Sequence, residues 1–266
     1  MKHTAEPPLV PISSRSSHWF RRFRKALEEH QREIVVEGPK QIRDSVALGW
    51  NPLAIAWDEG RQSSISSPAP QLQLEKSLFH ELSTTRHSQG VLGLFERRRF
   101  TLDEVFDNSA GIAVILDSVQ DPGNVGTIVR LAAAFDACGV VVAPGSADPL
   151  SQKAIRASAG AVLHIPVAHA GTAEILESLG NRKWPLFAAT RVQDGATSHE
   201  VPQSQAAIVF GNEGAGVSPA FLERAMPLSV RTSSAVESLN VAAAAAILLW
   251  QSYERRTKEQ VERVKA

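Results

Sequence analysis

Apolar residues recur along this chain in two rhythms. Near the start, Trp19, Phe20, Phe23 and Leu27 fall close to helical spacing behind Ser16 and Ser17, either of which can cap a helix. This predicts a helix from there to about residue 30. EIVVE at 33–37 reads as a strand. Gly38-Pro39 then opens a helix to residue 47, and Gly49 stops it. Residues 53–57 give a second strand, 61–70 a Ser-, Pro- and Gln-rich surface loop, 74–82 a helix and 90–95 a further strand. Such alternation predicts a small α/β domain over residues 1–105. Residues 100–111 read as the linker to a second domain, 106–266.

The second half has a different texture. IAVIL at 112–116 and AAIVF at 206–210 are continuous apolar runs, the signature of parallel strands buried on both faces. Further strands are expected at 139–143, within 147–167 behind a helix, and at 186–190. A tight turn at Pro122-Gly123 and Gly126 leads into a helix over 127–135. The last stretch, 228–250, starts as a short strand signal (Leu228, Ser229, Val230) and passes through VESLN. It ends in ten residues of Val, Ala, Ile, Leu and Trp, a helix apolar on nearly all sides. Ser238 and Asn240 stand where that helix begins, so N-capping is the plain reading of both.

Composition narrows the class. An apolar fraction of 43% supports a real core, and the length suits two domains. The single cysteine, Cys138, excludes an internal disulfide framework and fits a reducing cytoplasm. The N-terminus lacks the apolar run of a secretory signal, and the most apolar run, 241–250, is too short to span a bilayer. The 28 Lys+Arg balance the 28 Asp+Glu, so no global field draws in nucleic acid and local clusters matter more. Arg15, Arg21, Arg22, Arg24 and Lys25 form the densest one. It is either a solvated helix face or a phosphate-contacting surface with Trp19 nearby for stacking.

Three stretches carry candidate chemistry. Arg130 lies among Ile128, Val129, Leu131 and three alanines, a helix expected to be buried, where an arginine needs an anionic partner. Asn124, six residues earlier, is a cap or part of the same group. Lys153, Arg156 and Ser158 lie near the start of the next helix. Gly211-Asn212-Glu213-Gly214-Ala215-Gly216 is a glycine-rich strand-to-helix turn spaced G-x-x-G-x-G, unlike the G-x-G-x-x-G dinucleotide fingerprint. No P-loop pattern occurs, so a turn carrying Glu213 suits a ligand other than a polyphosphate.

NVGTIVR at 124–130, FGNEGAGVS at 210–218 and VESLNVAAAAAILL at 236–249 resemble, in order and separation, the three motifs of the SpoU (TrmH) branch of SPOUT RNA methyltransferases. RASAG at 156–160 resembles a further segment of the family. SSRSSHWFRRFRKAL and REIVVEG resemble the L30e-like substrate-binding domain that precedes the catalytic domain in some members. Arg231-Thr232 departs from the Pro-Met common after that strand. The resemblance implies an α/β fold with a mostly parallel sheet and a deep C-terminal trefoil knot. It also implies methyl transfer from S-adenosylmethionine to a ribose 2′-hydroxyl of RNA, ribosomal RNA first and transfer RNA as the alternative. By motif position, Thr190, Gly211, Val230 and Leu239 would bind the cofactor. Arg130, Asn124, Glu213, Ser238 and Asn240 would form the catalytic group, with Asn124 and Glu213 holding Arg130. Arg15, Arg21, Arg22, Arg24, Lys25 and Arg156 would meet RNA. The resemblance further implies a homodimer through the C-terminal domain, and the reaction needs no metal. A Rossmann-type nucleotide enzyme and a catalytically inert RNA-binding or ribosome-assembly protein are the other classes.

Overall fold

A computed structural model describes residues 9–61, 65–85, 87–107, 111–191 and 200–265, with side chains as far as 258. The N-terminal residues read above for a signal, and parts of the expected loop and linker, lie outside these. The described residues divide into two units: 9–98 with 150–152, and 99–149 with 153–265.

The first unit contains β1 (Leu9–Ile12), α1 (His18–Glu29), β2 (Glu33–Glu37), α2 (Pro39–Ala47), β3 (Pro52–Asp58), β4 (Gln71–Leu74), α3 (Lys76–Leu82) and β5 (Val91–Glu96). Its sheet runs β1-β4-β3-β5-β2, with β1, β4 and β3 parallel and β5 antiparallel to both β3 and β2. Helix α1 buries Phe20, Phe23 and Ala26, the face its spacing predicts. Ser17 is its N-cap residue, although its side chain makes no capping bond. Strands β1 and β4 have only four residues each and escape a reading based on apolar runs. The helix expected from 74 begins at Lys76, because Leu74 ends a strand.

The second unit contains α4 (Leu102–Phe106), β6 (Ile112–Leu116), α5 (Pro122–Ala134), β7 (Gly139–Val142), α6 (Gln152–Ala157), β8 (Val167–His169), α7 (Thr172–Arg182), β9 (Leu186–Ala189), β10 (Ala206–Phe210), α8 (Pro219–Leu222), β11 (Met226–Leu228) and α9 (Val241–Lys265). All six strands are parallel, in the order β11-β9-β10-β6-β7-β8. Every residue of β6, β7 and β10 is buried, as a sheet covered on both faces requires.

Four sequence expectations change here. Part of the supposed linker is α4, closed by a capping box between Thr101 and Glu104, with Val105 and Phe106 in the core. Helix α5 starts five residues early. Pro122 fits its first turn, and Asp121, not Asn124, is the N-cap, accepting from Gly123 N at 3.2 Å. The last strand is Met226–Leu228, so Ser229 and Val230 lie beyond it. Helix α9 runs fifteen residues past Trp250, and its buried positions Ala242, Ala245, Leu248, Leu249, Ser252 and Arg256 mark one face. No helix among the described residues is long and apolar enough to cross a membrane.

Candidate active site

The sheet brings two loops together. Strands β6 and β10 are neighbours, and their chains leave in opposite directions: β6 continues toward β7, β10 toward β11 by way of α8. The carboxyl ends of such a pair open a crevice, the usual ligand position in open α/β sheets. Across it, the Glu213 carboxylate accepts from Asn124 Nδ2 at 2.8 Å and from the backbone N–H groups of Gln120 and Asp121, both at 3.3 Å. Partial burial raises the Glu213 carboxyl, but the donors at Asn124, Glu213's own amide, Asp121 and Gln120 together hold it below its ordinary value.

Asn240 joins the same group through its amide. Its Oδ1 accepts from Ala242 N at 2.9 Å and Ala243 N at 3.3 Å, which caps α9. Its Nδ2 donates to Asn124 Oδ1 at 3.2 Å. The plain reading of Asn240 as an N-cap therefore holds, and the same amide also reaches Asn124.

A cavity of about 570 Å³ adjoins this chain of contacts at the carboxyl ends of β9, β10 and β11. This lies within the ~300–1,000 Å³ span of small-molecule sites. Thr190, Gly211, Val230 and Leu239 all line it, as do Glu213, Ser238 and Asn240. Thr190 is fixed by a bond from its N–H to Leu228 O at 2.9 Å. The wall is apolar at Phe210, Leu228, Val230, Leu239 and Leu248, and Arg191, Glu213 and Glu237 supply charges of both signs. A Cβ on Gly211 would lie 2.2 Å from the Gly216 carbonyl carbon and the Val217 nitrogen. The missing side chain is thus required by the loop's own return, in which Asn212 and Gly216 exchange backbone bonds at 2.9 Å.

Arg130 does not stand where the sequence placed it. It is exposed, and among the described residues neither Asn124 nor Glu213 bonds to it. Helical rotation explains this: α5 buries Val125, Gly126, Ile128, Val129 and Ala132, which leaves position 130 on the outer face. Neighbouring alanines signalled burial falsely, since Ala134 is exposed as well. The buried arginine of this region is Arg256. It is 7% exposed and donates to Phe135 O at 3.1 Å and Asp136 O at 3.0 Å, closing the carboxyl end of α5.

The basic cluster of the first unit is mostly paired. Arg15 bonds Glu81 at 2.7 Å, Arg22 bonds Glu33 at 2.6 Å, and Arg24 meets Glu28 at 3.3 Å. Lys25 lies 3.7 Å from Glu29, and Arg22 also sits over the Trp19 ring. Arg21 and Arg156 are exposed without such partners among the described residues. Asp117, which the sequence reading passed over, and Asn212, read there only as part of the glycine turn, brace the loop that carries Glu213. Among the described residues, no three His, Cys, Asp or Glu side chains gather as metal ligands would.

The model of the SpoU rRNA methylase family matches residues 111–250, which hold this crevice and cavity. The chain belongs to the SpoU rRNA methylase family. It is 41% identical over 139 residues, 52% of its length, to the 23S rRNA (guanosine(2553)-2′-O)-methyltransferase RlmP of Bacillus subtilis. The match spans 56% of that relative. Among solved structures, the SpoU methyltransferase AviRb of Streptomyces viridochromogenes, in complex with AdoMet, superposes with a TM-score of 0.81 over 91% of this chain and 98% of its own. At 23% identity that likeness concerns the fold. A structure described as a TrmH-family RNA methyltransferase of unproven activity from Porphyromonas gingivalis is 28% identical, with a TM-score of 0.73 over 90% of this chain and 98% of its own. The motif order of this SpoU chain is therefore matched by its tertiary fold.

Proposed function

We propose that this chain methylates a ribose 2′-hydroxyl of RNA, using S-adenosylmethionine. The observation that carries the reading is the meeting of the three motifs: Asn124, Glu213 and Asn240 form one hydrogen-bonded chain beside a cavity lined by Thr190, Gly211, Val230 and Leu239. The cavity suits the cofactor chemically. Apolar walls accept a purine, and Arg191, Glu213 and Glu237 offer both signs of charge to an amino-acid end. Bound there, S-adenosylmethionine supplies a methyl group made electrophilic by its sulfonium.

The residues of this chain do the rest. A guanidinium only donates hydrogen bonds, so Arg130 serves as a positive charge that orients the ribose or its phosphate and stabilises the oxygen as it loses its proton. Its exposure on α5 suits a group that meets RNA arriving from solvent. Asn124 is held by Glu213 on one side and Asn240 on the other, and it presents the start of α5 to the substrate. Ser238, exposed at the cavity rim, orients the substrate.

Ribosomal RNA is the preferred substrate, as the name of the Bacillus relative suggests, and transfer RNA is the alternative. The remaining parts of the reading are that the first domain is L30e-like and captures RNA, that the C-terminal segment is knotted, and that the protein works as a cytoplasmic homodimer. Comparing 2′-O-methyl sites in the RNA of cells with and without the gene tests the central statement. A site lost from 23S-type RNA supports it, a site lost from transfer RNA selects the alternative, and an unchanged map supports the inert assembly protein.

A further inference from the structure

Glu213 sits at the tip of an exposed loop, yet it makes three cross-loop contacts, so something beneath must hold that loop in register. Asp117 follows the last residue of β6 and is 3% exposed. Its Oδ2 accepts from Ser218 N, at the far stem of the 211–218 loop, at 2.6 Å. Its own N–H donates to Phe210 O at 2.9 Å, at the near stem. One buried residue thus grips both ends of the loop. The next residue, Ser118, has φ +58°, a conformation costly for a residue with a side chain. Two bonds hold it there: Ser118 O accepts from Asn212 Nδ2 at 2.9 Å, and Ser118 Oγ donates to Pro144 O at 3.2 Å. That left-handed turn aims the Gln120 and Asp121 N–H groups at Glu213. Asn212 Oδ1, meanwhile, accepts from Gly214 N and Ala215 N, both at 2.9 Å, which stiffens the tip.

We propose that Asp117 is a positioning residue that, by gripping both stems of the 211–218 loop, places the Glu213 carboxylate against Asn124 and the Gln120 and Asp121 amides. It does not line the cavity and acts through the loop that carries Glu213. The kinetic consequence rests on the function proposed above, whereas the structural one does not. Other charges also face Glu213: Asp121 and Lys153, paired with each other on the α5 side, and Arg191 and Glu237 across the cavity. Among the described residues, none of them hydrogen-bonds or ion-pairs with Asp117.

The experiment follows the Glu213 carboxyl by carbon-detected NMR across pH in the cofactor-free protein, with turnover measured in parallel. In Asp117→Ala the Glu213 midpoint rises toward the ordinary glutamate value, and turnover falls roughly tenfold to a hundredfold, the scale of a misplaced site group. Asp117→Asn keeps an acceptor for Ser218 N–H and so keeps the wild-type midpoint. Should Asp117→Ala not fold, Ser218→Pro removes the same donor at φ −66°, the value a proline ring fixes, and raises the midpoint likewise. A Glu213 midpoint unchanged in the variant that folds overturns the proposal. A raised midpoint in a protein that methylates no RNA sustains it and counts against the reaction instead.

Discussion

At the scale of single residues, the proposed site divides into groups already tied together and one that is not. Asn124, Glu213 and Asn240 are bonded, while Arg130 is exposed and unpaired among the described residues. Arg130→Ala therefore leaves folding and cofactor affinity near wild type and lowers methyl transfer about a hundredfold, the scale of one preorganised charge-stabilising group. Calorimetry and single-turnover assays separate the two effects. A loss confined to cofactor binding would move Arg130 into the cavity. Glu213 gives a pH prediction with a definite sign. Its carboxyl is held below the ordinary 4.5, so its contribution to stability is complete above that value and fades as pH falls through the lower folded midpoint. Denaturant unfolding of wild type and Glu213→Gln should differ at neutral pH and converge as pH falls below the folded midpoint. Cys138 behaves oppositely: burial pushes its thiol up to about 11. It should resist thiol reagents until the protein unfolds.

At the scale of elements, α5 and α9 are fastened at both ends by side chains with few substitutes. Asn240 caps α9 and bonds Asn124 near the start of α5, and Arg256 reaches from α9 to the carbonyls of Phe135 and Asp136, just past the end of α5. Asn240→Ala should cost about 1 kcal/mol in unfolding free energy for the cap alone. It should also lower activity further than that loss explains, since it frees Asn124. Arg256→Ala leaves two carbonyls and Asp136 without their donor, and should destabilise by about 1–3 kcal/mol. Both costs are read from denaturant midpoints at fixed slope. Much of this layer was legible in the sequence: the burial of 112–116 and 206–210, and the apolar face of α1. Boundaries were not. Pro122-Gly123 reads as a turn by composition but begins a helix, because proline's missing N–H has no partner to lose in a first turn.

At the scale of the whole molecule, two proposals call for solution measurements. Trp250 is 48% exposed on α9, and Leu222 and Val236 also show large apolar surfaces. A homodimer burying them should sediment at twice the 28.7 kDa chain mass at micromolar concentration, whereas a monomer would argue against it. For RNA capture, the ion pairs of Arg15, Arg22, Arg24 and Lys25 change the starting point, since these cations already face carboxylates. The exposed pairs of Arg15, Arg24 and Lys25 are worth at most about 1 kcal/mol each, so phosphates can displace them, whereas the half-buried Arg22–Glu33 pair is held more firmly. Neutralising Arg21, Arg22 and Arg24 together should weaken RNA binding and flatten its salt dependence by somewhat under one unit of slope per lost contact. Affinity curves parallel to wild type would leave the cluster as a solvated helix face.

What the sequence determined by itself is the class of each piece. Continuous apolar runs marked the buried parallel strands, and glycine and Ser-Leu-Asn spacing marked the three motifs. Those motifs named the family, because residues that must meet a ligand are spelled locally. Only the tertiary structure decided which of them meet. The order β11-β9-β10-β6 brings Asn124, Glu213 and Asn240 together across 116 residues of chain. Helix rotation turns Arg130 outward, and Asp117 and Arg256 appear as the braces beneath. Burial of a charge and the partner that satisfies it belong to two distant points of the chain at once. No local pattern records both, and they come into register only when the sheet forms.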